Sequence, residues 1–258
     1  VDAVKVGMVS KIETINVIAD KLEQYKPHNV VIDPVMISKS GFDLLKPEAK
    51  DALISRLIPL ATVLTPNLPE AEVITGMKID NLSSMKEAGE KIYAMGAKNV
   101  FVKGGHLSDD ATDILFDGKN IITLPGKRFN TKNTHGTGCT ISSAIAANLA
   151  KGLSVEEAVK EAKRYITVAI EHSFSIGKGV GPTNHFYELY KKAGEKYMSV
   201  LDRAKNFCKQ VYLDVHKAFD VTMDFLTLGC HSKCAAAKAM KAFKNVEICQ
   251  KKVDDLSK

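Results

Sequence analysis

The residues best placed to do chemistry stand beside glycine or proline. The turn His135-Gly136-Thr137-Gly138 leads through Cys139 into a helical pattern, with Ile141, Ile145 and Leu149 every four residues, Ala144 and Ala150 beside them, and Gly152 as the stop. Glycines at 136 and 138 permit positive φ and close approach of a ligand to the backbone. The N–H groups of Gly136, Thr137 and Gly138 then point out of a helix N-terminus, where the helix dipole adds partial positive charge. That is an anion hole for a phosphate, or for the charge that develops in phosphoryl transfer. Cys139, read as the first helical residue, would have its thiolate stabilised by the same field. A plainer account of the same letters is a glycine-rich helix start with a buried cysteine, and spacing alone does not choose between the two.

Other stretches share this character. Val30-Val31-Ile32 reads as a buried parallel strand that delivers Asp33 to its carboxyl end, followed by Pro34-Val35-Met36 and Lys39-Ser40-Gly41. In Thr65-Pro66-Asn67-Leu68-Pro69-Glu70, Asn67 and Glu70 have capping-box spacing, an ordinary helix start. Pro66 and Pro69 around them, after a strand and on the sheet edge that carries Asp33, favour a site instead. Glu72 reads as a solvated helix residue. Lys103-Gly104-Gly105-His106 ends another strand; the lysine can neutralise a phosphate, the glycines allow close approach, and His106 reads as a loop residue. Gly179-Val180-Gly181-Pro182-Thr183-Asn184-His185-Phe186 reads as a loop and helix start, with His185 packing.

Taken in order, DAVKVGM, VIDPVMISKSG, LTPNLPEAEVITG, VKGGH, THGTGCT and GVGPTNHF resemble the hydroxymethylpyrimidine phosphate kinases, a thiamin-biosynthesis branch of the ribokinase-like superfamily, over about residues 1 to 190. Most of that superfamily ends the turn in an aspartate base, whereas this branch has cysteine there, so Cys139 discriminates between branches. The resemblance implies that Cys139 is the catalytic position, as general base or as the group that positions the attacking hydroxyl. It places Asp33, Asn67, Glu70 and Lys103 around nucleotide, phosphates and Mg2+, with Asp33 and Glu70 near the metal. It brings Met8 and Val35 close to a pyrimidine ring. ATP and Mg2+ are the implied cofactors, and a small-molecule pyrimidine the implied substrate. The family also carries a front segment not seen here, so an N-terminally truncated kinase, with a sheet edge left unpaired and much of the pyrimidine half of its site absent, is expected. The rivals are a pyridoxal or pyridoxine kinase of the same fold, which shares the cysteine turn, and a non-catalytic nucleotide-binding remnant.

The elements that must hold these residues alternate between strand and helix. Ser10 and Glu13 suggest a capping box for a helix with Ile12, Ile15, Ile18, Ala19 and Leu22 on one face. Helices are expected at 47–57, 69–75 and 84–95, strands at 4–8, 61–64 and 100–102, and a hairpin over 114–124 turning at Asp117-Gly118. Ser154 with Glu157 starts a further helix, with Val155, Ala158, Val159, Ala162, Ile166, Ala169 and Ile170 apolar. This pattern implies a three-layer α/β/α domain with a mostly parallel sheet over 1–196. Residues 197–258 read instead as a helical hairpin, holding four of the five cysteines and eleven Lys/Arg against seven Asp/Glu. Cys230 and Cys234 lack a second pair with zinc spacing. That tail is a candidate cover for the sheet edge or a support for a homodimer.

With 258 residues and 45% hydrophobic content the chain can build a sizeable core. No apolar run is long enough to span a membrane, and the sequence starts without a signal-peptide pattern, so a cytoplasmic protein is expected. A net charge of +6 suits an enzyme handling phosphates and is too weak to argue for nucleic acid.

Overall fold

The computed structural model describes residues 1–36, 44–105, 111–176 and 178–195. Its sheet has six strands in sequence order: β1 (Val4–Val6), β2 (Val30–Ile32), β3 (Val63–Leu64), β4 (Val100–Val102), β5 (Asp113–Phe116) and β6 (Ile121–Leu124). The first four are parallel and the last two run antiparallel as a hairpin. Its turn is built as expected: Asp117 Oδ1 accepts from the N–H groups of Lys119 and Asn120 at 2.8 and 2.6 Å, and Gly118 takes φ 91°.

Alternation along the strands divides the core into two layers. Val30, Ile32, Val100, Val102 and Ile114 face one side, packed by α1 (Ile12–Tyr25), α2 (Pro47–Ala52), α3 (Leu68–Thr75) and α4 (Leu82–Ala94). Val31, Phe101 and Leu115 face the other side, packed by α5 (Thr137–Ala150) and α6 (Val155–Glu171). This is the expected α/β/α arrangement. β1 and β6 are the edge strands of the described sheet. Among the described residues no helix is long and apolar enough to cross a membrane.

Several boundaries differ from expectation. The first bond of α1 runs from the Ile15 N–H to the Lys11 carbonyl at 3.1 Å, so Lys11 is the N-cap and the Ser10 capping box is not made. Helix α4 begins at Leu82, earlier than Ser84, because Asn81 caps it reciprocally with Ser84. α2 continues through a wide π turn (Leu53–Leu57) and a 3-10 turn (Ile58–Leu60). Glu72 is half-buried, and its Oε1 accepts from the Ile79 N–H at 2.8 Å. The Ser154–Glu157 capping box of α6 forms as read, and Ala158, Val159, Ala162, Ile166 and Ala169 are buried.

The chain divides into two compact units, 1–188 and 189–258, with α7 (Tyr187–Glu195) running across that boundary. The expected helical hairpin over 197–258, with its Cys230–Cys234 motif, lies outside the described residues, as do Lys39, Ser40, Gly41 and His106.

Candidate active site

Four parallel strands end on one edge of the sheet, and each is followed by a segment the sequence marked. Gly7-Met8 follows β1, Asp33-Pro34-Val35 follows β2, Thr65-Pro66-Asn67 follows β3 and Lys103-Gly104 follows β4. In open parallel sheets this edge is where ligands bind. Asp33 is 2% exposed, and its N–H donates to the Val6 carbonyl at 2.9 Å, which fixes it beside β1. Its Oδ1 accepts from Lys103 Nζ at 2.8 Å and from Thr65 Oγ1 at 3.2 Å, while Oδ2 accepts from Ser142 Oγ at 3.4 Å. Thr65 and Ser142 are fully buried, and neither stood out in the sequence. Ser142 lies three residues past Cys139 on α5, and its hydroxyl is nearer to the Gly138 and Cys139 carbonyls, at 3.1 and 3.0 Å, than to Asp33.

Asn67 and Glu70 do form the capping box: the Asn67 N–H donates to Glu70 Oε2 and the Glu70 N–H to Asn67 Oδ1, both at 2.8 Å. The two residues expected in the site are thus also the helix cap. Asn67 also bridges to Lys103, whose N–H donates to the Pro66 carbonyl at 2.8 Å. Burial pushes the Glu70 carboxyl up to about 7, with the Asp33 charge adding to the rise and Lys103 and the Asn67 and Met36 backbone opposing it.

Opposite these groups is the start of α5. Gly136 takes φ 79° as N-cap, and the first intrahelical bond runs from the Thr140 N–H to the Gly136 carbonyl at 2.9 Å. The helix therefore starts at Thr137, and Cys139 is its third residue, not its first. The N–H groups of Thr137, Gly138 and Cys139 precede that first bond and line the helix mouth. A Cβ built on Gly138 would lie 3.6 Å from Lys103 Nζ, so the lysine ammonium and the helix mouth border one space. Cys139 is a free, exposed thiol, which sets aside the buried-cysteine account.

Met8 is 62% exposed and Val35 half-buried, both just past the ends of adjacent strands. The loop at 179–184 packs on the turn before α5: the His135 N–H donates to the Gly181 carbonyl at 3.2 Å, and a Cβ at Gly181 would fall 2.2 Å from Asn133 Oδ1. His185 stacks on the Tyr165 ring.

Sequence reasoning missed a second buried ion pair. Lys163 Nζ of α6 lies 2.5 Å from Asp113 Oδ2, and Asp113 Oδ1 accepts from the Gly104 N–H at 2.8 Å. Burial pushes the Asp113 carboxyl up, opposed chiefly by Lys163. An acidic residue opening an otherwise apolar strand, DILF, was the available signal.

Among the described residues no three His, Cys, Asp or Glu side chains converge to cage a metal. Mg2+ does not require such a cage, since it is held through one or two carboxylates, waters and substrate phosphates. Asp33 and Glu70 are the two carboxylates expected to take that role; both are buried, Asp33 paired with Lys103 and Glu70 Oε2 accepting from the Asn67 N–H.

Residues 1–184 match the phosphomethylpyrimidine kinase family. The chain belongs to that family. A hydroxymethylpyrimidine/phosphomethylpyrimidine kinase of Rhizobium meliloti is 50% identical over 195 residues, 74% of this chain and 73% of the relative. A thiamine biosynthesis bifunctional protein of Geobacter sulfurreducens is 50% identical over 186 residues, 72% of this chain but 38% of that longer relative. Among solved structures, phosphomethylpyrimidine kinase from Clostridium difficile superposes with a TM-score of 0.59 at 51% identity, covering 66% of this chain and 69% of that one. An ADP complex of Bacillus subtilis pyridoxal kinase superposes with a TM-score of 0.68 at 42% identity, covering 74% and 71%. The fold is thus that of the phosphomethylpyrimidine and pyridoxal kinases, and the resemblance read from the motifs holds.

Proposed function

We propose that this chain transfers the terminal phosphoryl group of ATP to hydroxymethylpyrimidine and to its monophosphate, a step in thiamin biosynthesis in the cytoplasm. The observation that carries the reading is the placement of Lys103 Nζ between the buried Asp33 carboxylate and the mouth of α5, in a phosphomethylpyrimidine kinase family member. Phosphoryl transfer needs charge neutralised and groups aligned more than it needs covalent chemistry. Lys103 neutralises donor phosphate charge, and the Gly136–Gly138 turn with the first N–H groups of α5 receives the charge of the transferred group. Asp33 and Glu70 would hold Mg2+, directly or through water, and the ion would supply further neutralisation of phosphate charge. Cys139, exposed in the first turn of α5, takes the proton of the attacking hydroxyl or orients that hydroxyl. Met8 and Val35, beyond the ends of β1 and β2, offer apolar contact to the pyrimidine ring.

A second reading, a pyridoxal kinase, is favoured by the higher TM-score of the Bacillus subtilis structure; higher sequence identity and the family match favour the pyrimidine. The test is a coupled assay of ADP release with hydroxymethylpyrimidine, its monophosphate and pyridoxal in parallel, with ATP binding measured on the same sample. Turnover with the pyrimidines above that with pyridoxal is expected. Preference for pyridoxal overturns the substrate, and binding without turnover supports a nucleotide-binding remnant.

A further inference from the structure

Lys163 and Asp113 lie outside the candidate active site, on α6 and at the start of β5, with side chains 15% and 7% exposed. The ammonium is enclosed: it also donates to the Ala111 carbonyl at 3.0 Å, and a Cβ at Gly126 would fall 2.7 Å from it. Two buried charges paired this way seldom add net stability over an apolar pair of similar size, because both were taken out of water. The arrangement does, however, have a direct geometric effect on the neighbouring strand end.

Asp113 spends its second oxygen on the Gly104 N–H, the residue after Lys103. Gly104 is pressed so closely on the chain at Thr112 that a Cβ would lie 1.7 Å from the Thr112 carbonyl oxygen. The N–H of Lys103 is held by the Pro66 carbonyl. The backbone is thus fixed at two successive N–H groups, by Pro66 just past β3 on one side and by Asp113 on the other, and the Lys103 side chain reaches Asp33. Lys163 in turn orients the Asp113 carboxylate, so α6 is linked to the phosphate-facing lysine through two contacts.

We propose that Asp113 and Lys163 are positioning residues for nucleotide binding: the pair anchors the Gly104 main chain and so sets where Lys103 Nζ lies between Asp33 and the α5 N-terminus. This rests on the reading of Lys103 as a nucleotide-phosphate ligand. Two double variants of the full chain separate positioning from stability. Asp113→Asn with Lys163→Met removes both charges and keeps an acceptor for the Gly104 N–H. Asp113→Val with Lys163→Met removes both charges and the acceptor. At matched Tm, the Val double is expected to bind the non-hydrolysable ATP analogue AMP-PCP about tenfold more weakly than the Asn double. Should the Val double not fold, Asp113→Glu carries the test, since it keeps the charge but displaces the acceptor by one methylene; a several-fold weaker AMP-PCP affinity is expected. Equal affinity of the two doubles, or an unchanged affinity in Asp113→Glu, overturns the positioning role alone. Failure of the unaltered chain to bind AMP-PCP overturns the nucleotide reading beneath it.

Discussion

Lys103 Nζ lies 2.8 Å from Asp33 Oδ1, reaching over β3 from the end of β4 to the end of β2, with Asp33 almost fully buried. The pair joins two strands that are not neighbours, and the Thr65 and Ser142 hydroxyls lie 3.2 and 3.4 Å from the carboxylate oxygens. Lys103→Met leaves that carboxylate buried without its cation. It is expected to cost about 3 kcal/mol in urea denaturation, the low end for a broken buried pair because the lysine side chain is still 15% exposed. Adding Asp33→Asn should recover most of that stability. ATP affinity should fall about tenfold in the single variant and stay low in the double. Recovery of affinity along with stability would show that Lys103 acts only on the fold.

Glu70 sets a pH dependence. Its carboxyl, ordinarily near 4.5, is raised to about 7 in the folded chain, chiefly by burial. The folded state therefore holds this proton more tightly than the unfolded state, and stability falls as pH rises from about 4.5 to about 7, then levels off. The magnitude is on the order of 3 kcal/mol. Glu70→Gln keeps an acceptor for the Asn67 N–H and removes the ionisation. Denaturation in EDTA should show a flatter profile between pH 5 and 7, with the variant the more stable of the two at pH 8. A profile parallel to that of the unaltered chain would exclude Glu70 as its source.

The parts of this site that follow from local rules could be read from the letters. Val30-Val31-Ile32 and Val100-Phe101-Val102 are apolar throughout because both faces are covered, and that pattern placed Asp33 and Lys103 at strand ends. Contacts between distant segments could not be read. Ser142 and Asp33 are 109 residues apart, and nothing in either local sequence marks that contact. Asp113 and Lys163 carry no local mark of their pairing, because it depends on how α6 packs over the hairpin. The two-residue error at α5 has a local cause: Gly136 in the left-handed region can cap a helix without a side chain, so its start carries no serine or aspartate signal.

The two glycines of the α5 turn should respond differently to alanine. Gly136 has φ 79°, a conformation that strains an L side chain by about 1 kcal/mol or more. Gly138 is not among the glycines with positive φ, and alanine there should be neutral or stabilise by up to about 1 kcal/mol. Its methyl would, however, enter the space shared with Lys103 Nζ. Gly136→Ala should lower Tm, whereas Gly138→Ala should keep Tm and raise the KM for ATP. An unchanged KM in Gly138→Ala would place the donor phosphates away from the helix mouth.

Cys139 offers the cleanest separation of chemistry from fold, because its thiol is exposed and no disulfide or core contact depends on it. Cys139→Ala should leave Tm and AMP-PCP affinity where they are. If the thiolate takes the proton of the attacking hydroxyl, kcat should fall about a hundredfold or more, the usual range for loss of a general base. Cys139→Ser then distinguishes the two roles, since a hydroxyl can hold the substrate alcohol by a hydrogen bond but is a far poorer base near neutral pH. Restoration of kcat by serine would assign positioning. Loss in both variants would assign proton removal to the sulfur.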